Sequence, residues 1–84
     1  IGQAVLVSTG YDNCPHLIMA PTMRTPGPTT QLAVFLSTRA ALHLAKSHDF
    51  GTVAMPGMGT LTGRVPVDLA ARAMREAYDQ VFGR

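Results

Sequence analysis

Positions 55–66 carry the sequence MPGMGTLTGRVP, a glycine-rich stretch between a short apolar run and an amphipathic segment. The preceding residues, Thr52 to Met55, are typical of a short buried strand, and Pro66 is a residue that commonly opens a helix. A glycine-rich turn from a strand into a helix presents backbone N–H groups and the positive end of a helix dipole, which together suit a phosphate group. The sequence therefore predicts an α/β unit whose ligand-binding loop is Gly57 to Gly63.

The glycine spacing distinguishes this loop from two familiar nucleotide-binding motifs. Gly57-x-Gly59-x-x-x-Gly63 is one residue longer than the dinucleotide fingerprint, and no acidic residue follows at the interval that the fingerprint requires. Arg64 stands where a Walker loop needs lysine followed by serine or threonine. Because glycine is also what any tight turn requires, the spacing alone leaves a purely structural turn open as the alternative.

The rest of the chain predicts strands and helices around this loop. Ala4–Ser8 and His16–Ala20 are apolar runs separated by a short turn, so they should pair as antiparallel strands. A helix follows from about Gln31 to Ser47, and its length predicts a crossover that places the third strand, residues 52–55, parallel to the second. A second helix begins at Pro66 and stops at Gly83. The fold class predicted is α/β, with a mixed sheet of about three strands and two main helices.

The two predicted helices differ in how much of their surface is apolar. The first, with Thr29 or Thr30 as its N-cap, is apolar over more than half its girth and should be covered on two sides. The second has one apolar face with recurrences every three and four residues, formed by Val67, Ala70, Ala71, Met74, Ala77, Tyr78, Val81 and Phe82.

Composition limits the size and the class of the protein. The chain has 84 residues, of which 46% are hydrophobic and 14% are charged, and its net charge is +2. This is much apolar surface for a chain that buries only about 60–65% of its unfolded surface, so we expect a piece of a larger domain. The basic residues form no run, so nucleic-acid binding is not expected, and the short apolar runs give no reason to expect a membrane span. The expected location is cytoplasmic.

Metal and catalytic sites have little support from spacing. His43 and His48 are five residues apart and do not share a helical face, and His16 is remote in sequence. Cys14 is the only cysteine, which excludes an intrachain disulfide, and its proximity to His16 in sequence is not enough to define a catalytic pair. The acidic residues form no evident catalytic pair. We expect no bound metal or cofactor.

Two separated motifs resemble a known family. Residues 17–24 read LIMAPTMR, and after a helix residues 53–60 read VAMPGMGT, followed by Pro66 and by AARAM at 70–74. In this order they resemble the C-terminal half of a macro domain of the bacterial and phage type, a family of ADP-ribose-binding and ADP-ribose-phosphate-processing proteins. The resemblance covers nearly all of residues 1–84, and roughly half of such a domain. It implies part of a three-layer α/β/α fold that binds ADP-ribose, with hydrolysis of ADP-ribosyl adducts or ADP-ribose phosphate in some members.

The resemblance also implies which residues contact the ligand. The matching loop of the family wraps the diphosphate and distal ribose through its backbone, which assigns ligand contacts to Gly57, Met58, Gly59, Thr60, Leu61, Thr62 and Gly63. Leu61 departs from the family because it occupies a place where glycine is usual. The family's Asn-rich loop and adenine-anchoring acidic residue belong to the N-terminal half and have no counterpart here, so we expect no catalysis by this chain alone. Expected partners are ADP-ribose or a related nucleotide, and either a second copy or the missing half of the domain. The alternative is a non-catalytic assembly module that keeps the fold without binding a ligand.

Overall fold

A computed structural model describes residues 2–21, 29–59 and 63–83. These residues form two strands, β1 (Val5–Tyr11) and β2 (Cys14–Met19), and two helices, α1 (Gln31–Ser47) and α2 (Val67–Phe82). The helices pack on each other, and α1 also contacts both strands. The α/β class predicted from the sequence is therefore confirmed.

The strands form the antiparallel hairpin that the sequence predicts. Val5 pairs with Met19, Leu6 with Ile18 and Val7 with Leu17, and the register shifts between Ser8 and Tyr11. The hairpin turn is stabilised through the Thr9 hydroxyl, which donates to the carbonyl of Cys14 and accepts from the amide of Tyr11. Both strands extend closer to the turn than the predicted runs Ala4–Ser8 and His16–Ala20.

The prediction of a third strand is wrong. Residues 52–55 do not form a strand, and the sheet of the described residues has the order β1-β2 alone. A strand is defined by backbone hydrogen bonds to a neighbour, so β propensity cannot produce one where no neighbour lies alongside. The parallel pair, and with it the mixed sheet of about three strands, is absent from the described part of the chain.

Helix α1 spans the predicted residues. Thr30 is its N-cap, in extended backbone, and its side-chain oxygen accepts a 3.1 Å hydrogen bond from the amide of Ala33. One predominantly small-residue face is fully buried, comprising Ala33, Val34, Ser37, Thr38, Ala41, Leu42 and Ala45. At the other end, the amide of Phe50 donates to the carbonyl of Ala45 at 3.1 Å. Asp49, just before Phe50, has a positive φ of 57°, and the helix ends there.

Helix α2 is amphipathic as predicted, but its buried stripe is displaced. Its buried residues are Ala70, Ala73, Ala77 and Val81, whereas Val67 and Ala71 are exposed. Pro66 is the N-cap, one position before the helix, and Gly83 ends it in the left-handed conformation with its amide donating to Asp79 at 2.8 Å. The buried stripe of α2 is displaced because α1 packs on that side of the helix. The periodicity of apolar residues along α2 does not show where α1 lies.

Small side chains allow α1 and α2 to approach closely. Ala73 and Ala77 are almost completely buried against the similarly small buried face of α1. At one end of this contact, Val34, Val65, Ala70 and Ala73 form a buried cluster. At the other end Lys46 of α1 donates to the carbonyl of Val81 at 2.9 Å. An apolar cluster therefore holds the two helices together at one end, and a hydrogen bond holds them at the other.

Phe50 joins the hairpin to the end of α1. Its ring stacks on His16 of β2, with centroids 5.1 Å apart, and on His48, with centroids 5.6 Å apart. The stack brings the middle of β2 beside the C-terminal end of α1.

We predict that Ala77→Leu lowers the free energy of unfolding by about 1–3 kcal/mol, because added methylenes in a close-packed contact force the helices apart. Ala71→Leu on the exposed side of the same helix is the matched control and should change it by less than about 0.5 kcal/mol. Urea unfolding followed by circular dichroism measures both. Equal losses in the two variants would contradict the placement of the buried stripe.

Candidate ligand-binding loop

The glycine-rich loop is closed at its base by two backbone hydrogen bonds. The amide of Val65 donates to the carbonyl of Gly59 at 3.0 Å, and the amide of Thr29 donates to the carbonyl of Gly63 at 2.8 Å. The first bond closes the loop on itself, and the second attaches it to the residue before the N-cap of α1. The predicted contacts Thr60, Leu61 and Thr62 lie outside the described residues.

Two glycines of the loop are required by their surroundings. Gly59 has a φ of +72°, and a Cβ there would lie 2.9 Å from Cγ2 of Val34. A Cβ on Gly63 would lie 2.6 Å from the carbonyl oxygen of Gly59 and 2.7 Å from Cγ2 of Thr29. The Gly59 oxygen is a backbone atom and the Val34 side chain is fully buried, so neither can yield as the end of a flexible exposed side chain can. These two glycines therefore allow the close approach of the loop to α1.

The residues that follow the loop alternate between solvent and core. Arg64 is exposed with a φ of 58°, which is uncommon for a residue other than glycine, and Val65 is buried in the cluster with Val34. The turn at Arg64 therefore leaves a positively charged side chain in solvent beside the loop and anchors the next residue in the core.

The other two described residues of the predicted site have different surroundings. Gly57 is exposed, whereas Met58 is partly buried and packs against the Val34 cluster. The Met58 side chain thus contributes to packing. Its backbone remains the part of this residue suited to the predicted role.

Both motifs of the sequence converge on the N-terminal half of α1. The first motif reaches it through Pro21, whose carbonyl accepts a hydrogen bond from the hydroxyl of Ser37, a fully buried residue. The second reaches it through Gly59 against Val34, one helical turn before Ser37. Residues 22–24 of the first motif lie outside the described residues. Segments about forty residues apart in sequence are thereby brought to one helix.

The N-terminus of α1 lies at the base of the loop. The glycine-rich stretch predicts a helix dipole from α2, whereas the bond from Thr29 to Gly63 places the start of α1 there as well. The pair Thr29-Thr30 predicts an N-cap, but local sequence does not show what the N-terminus of a helix faces. Two helix starts, after Thr30 and after Pro66, flank the loop and favour negative charge near it.

Other candidate groups are held elsewhere. The His16 and His48 rings stack on Phe50, and the thiol of Cys14 lies 3.7 Å from the carbonyl oxygen of His16. Among the residues that the structure describes, no group of three histidine, cysteine or acidic side chains is arranged to hold a metal ion. A search of those residues also finds no helix long and apolar enough to span a membrane.

The fold and this loop define a class: a small α/β unit in which a glycine-rich loop is fastened to a helix N-terminus. Within that class the chain belongs to the macro domain family, because the family's model matches residues 1–74. This confirms the resemblance drawn from the two motifs.

Two curated relatives show how much of a protein the match covers. The chain is 48% identical to an uncharacterized protein of Aquifex aeolicus over 77 residues, which are 90% of this chain and 47% of the relative. It is 40% identical to an uncharacterized protein of Aeropyrum pernix over 85 aligned residues, covering all of this chain and 45% of the relative. The chain thus spans about half the length of the curated relatives it matches.

Gly63→Ala is expected to lower the free energy of unfolding by about 1–3 kcal/mol, since the new methyl group meets the Gly59 carbonyl and must break the base of the loop. Gly51→Ala is the matched control, because a Cβ at Gly51 meets nothing within 4 Å. Urea unfolding measures the difference, and amide exchange at Thr29 and Val65 reports whether the two base hydrogen bonds are lost. A Gly63→Ala variant as stable as Gly51→Ala would contradict this account of the loop.

Proposed function

We propose that this chain is the diphosphate-side part of an ADP-ribose-binding macro domain, with Gly57–Gly63 as the contact loop. The observation that carries the proposal is the closed loop base at Gly59 and Gly63, attached to the start of α1, in a chain of the macro domain family. At Gly57, Gly59 and Gly63 the backbone can approach a phosphate without a side chain of the same residue intervening.

The surroundings of the loop support an anionic ligand. Two helices begin beside it, and each contributes partial positive charge at its N-terminus. Arg64 adds an exposed guanidinium next to the loop. A diphosphate placed over the loop would lie near all three.

The proposal assigns no reaction to this chain alone. The complete three-layer α/β/α domain, with additional strands beside β2 and residues 52–55, is proposed to require the polypeptide by which the relatives exceed this chain. Any hydrolysis of ADP-ribosyl adducts or ADP-ribose phosphate would belong to that complete domain.

A second candidate is a non-catalytic assembly module that keeps the fold without binding a ligand. It is favoured by large apolar side chains exposed to solvent, among them Val5, Leu17, Met19, Val53, Tyr78 and Phe82. Val5, Leu17 and Met19 share one face of the hairpin, and an exposed apolar face is typical of surfaces that associate with another polypeptide. A monomer whose sedimentation coefficient is independent of concentration would count against this candidate.

We predict that ADP-ribose raises the melting temperature of the chain, because a ligand that binds only the folded state stabilises it by mass action. Citrate, an anion without ribose or diphosphate, should leave the melting temperature unchanged. AMP should act more weakly than ADP-ribose, since it lacks the diphosphate and distal ribose assigned to the loop. Thermal unfolding with each compound measures these effects.

Loop variants make this test specific. Gly63→Ala should reduce the ADP-ribose shift relative to its own ligand-free value, while Gly51→Ala should retain it. No shift for the unmodified chain at millimolar ADP-ribose would refute the proposal, and equal shifts for ADP-ribose and citrate would show binding of anions in general.

A further inference from the structure

The hydroxyl of Ser37 joins α1 to the chain that leaves β2. Ser37 is fully buried, and its hydroxyl donates to the carbonyl of Pro21, sixteen residues earlier in the sequence. A serine inside a helix can instead bond the carbonyl of the residue four positions earlier, which here is Ala33. A hydroxyl has one donor, and Ser37 uses it on a segment distant in sequence. This bond therefore fixes one element of the fold relative to another.

Pro21 is placed so that this bond controls the end of β2. It lies two positions after Met19, the last residue of the strand, and it is exposed. An exposed residue can exchange a lost protein hydrogen bond for one with water, at small net cost to folding. Removing the Ser37 hydroxyl should therefore release the end of β2 while the chain stays folded.

The glycine-rich loop is attached to the same stretch of α1. A Cβ at Gly59 would lie 2.9 Å from Cγ2 of Val34, and the amide of Thr29 donates to the carbonyl of Gly63 at 2.8 Å. Val34 and Ser37 are both fully buried and are three residues apart, which places them on one face of the helix roughly 4.5 Å apart along its axis. The end of β2 and the base of the loop are therefore attached to neighbouring positions of one helix.

We propose that Ser37 is a positioning residue for the ligand site: without touching the ligand, its hydroxyl holds the end of β2 in place relative to the glycine-rich loop. Ligands of open α/β sheets bind outside the carboxyl ends of the strands, and Pro21 lies at the carboxyl end of β2. The inference rests on the proposed function, because it assigns to Ser37 a share of the affinity for ADP-ribose.

The strength of one hydrogen bond sets the size of the expected effect. The net contribution of such a bond corresponds to a change of about fivefold in the equilibrium between a held and a released end of β2. A ligand that binds only the held arrangement loses affinity in proportion to the fraction of chains that leave it. Loss of the Ser37 hydroxyl should therefore weaken ADP-ribose binding by about two- to fivefold.

Isothermal titration calorimetry with ADP-ribose, at a temperature where every variant is folded, measures this effect in the 84-residue chain. Ser37→Ala removes the donor, and Ser37→Cys nearly keeps the volume but supplies only a weak donor, so both should weaken binding. Thr38→Val is the matched control. Thr38 is the next residue and only 1% exposed, but its hydroxyl has no hydrogen-bond partner among the described residues, so its loss should leave the affinity unchanged.

A second measurement needs no ligand. NMR relaxation gives the backbone order parameter of Ala20, the residue before Pro21, in the free chain and in each variant. Order parameters are about 0.85 for rigid backbone and below about 0.6 for flexible backbone. Ser37→Ala and Ser37→Cys should lower the value at Ala20, whereas Thr38→Val should not. A role in stability alone would lower the melting temperature without changing this local value.

The possible results separate this inference from the proposed function. If the unmodified chain binds ADP-ribose and both Ser37 variants bind it equally well, or if the order parameter of Ala20 is unchanged in both, Ser37 is not a positioning residue and the proposed function stands. If the unmodified chain does not bind ADP-ribose, the proposed function fails, and the order parameter still decides whether Ser37 holds the end of β2. Failure of both Ser37 variants to fold would show that the bond serves stability, which also overturns the inference.

Discussion

The close packing of α1 on α2 is the constraint from which the rest of the described structure follows. Alanines on both helices allow the approach, and Val34, fully buried, lies where the helix pair meets the segment that precedes α2. Because Val34 also contacts the position of Gly59, the same residue that orients the helices determines how near the glycine-rich loop can come. A dense interior transmits such restrictions because it has few voids to absorb them.

The position of the loop is thus determined by the contacts at its base as well as by its own sequence. Gly59 and Arg64 adopt positive φ, and the bonds from Val65 and Thr29 hold the base of the loop at Gly59 and Gly63. Both bonds join groups of this chain, so the positions of Gly59 and Gly63 at the base of the loop are set by folding. For the proposed ligand, a base set in this way lowers the entropic cost of binding.

Local signals predicted the parts of this structure that local interactions determine. The extent of α1, its cap at Thr30, the hairpin and the stop at Gly83 all rest on residues close in sequence, and all are confirmed. The strand at 52–55 was wrong because a strand needs a neighbour, and the choice of Ala73 over Ala71 depends on where another helix lies. For the same reason the start of α1 at the loop could not be read from the Thr29-Thr30 pair. The motifs nevertheless identified the family, since they record a sequence pattern and not a position in space.

The two ends of the helix pair differ in how far this chain completes them. At the loop end, contacts between α1 and residues 59–65 close the structure with this chain's own groups. At the other end, where Val53 lies beside the C-terminal halves of α1 and α2, Val53, Tyr78 and Phe82 remain about two-fifths exposed. The Thr38 hydroxyl lacks a hydrogen-bond partner among the described residues. Only Pro56 separates Met55 from Gly57, the first residue of the loop. Pairing of residues 52–55 in the complete domain, which belongs to the proposed function, would therefore restrict the chain that enters the loop and reduce the conformational entropy that the proposed ligand binding must overcome.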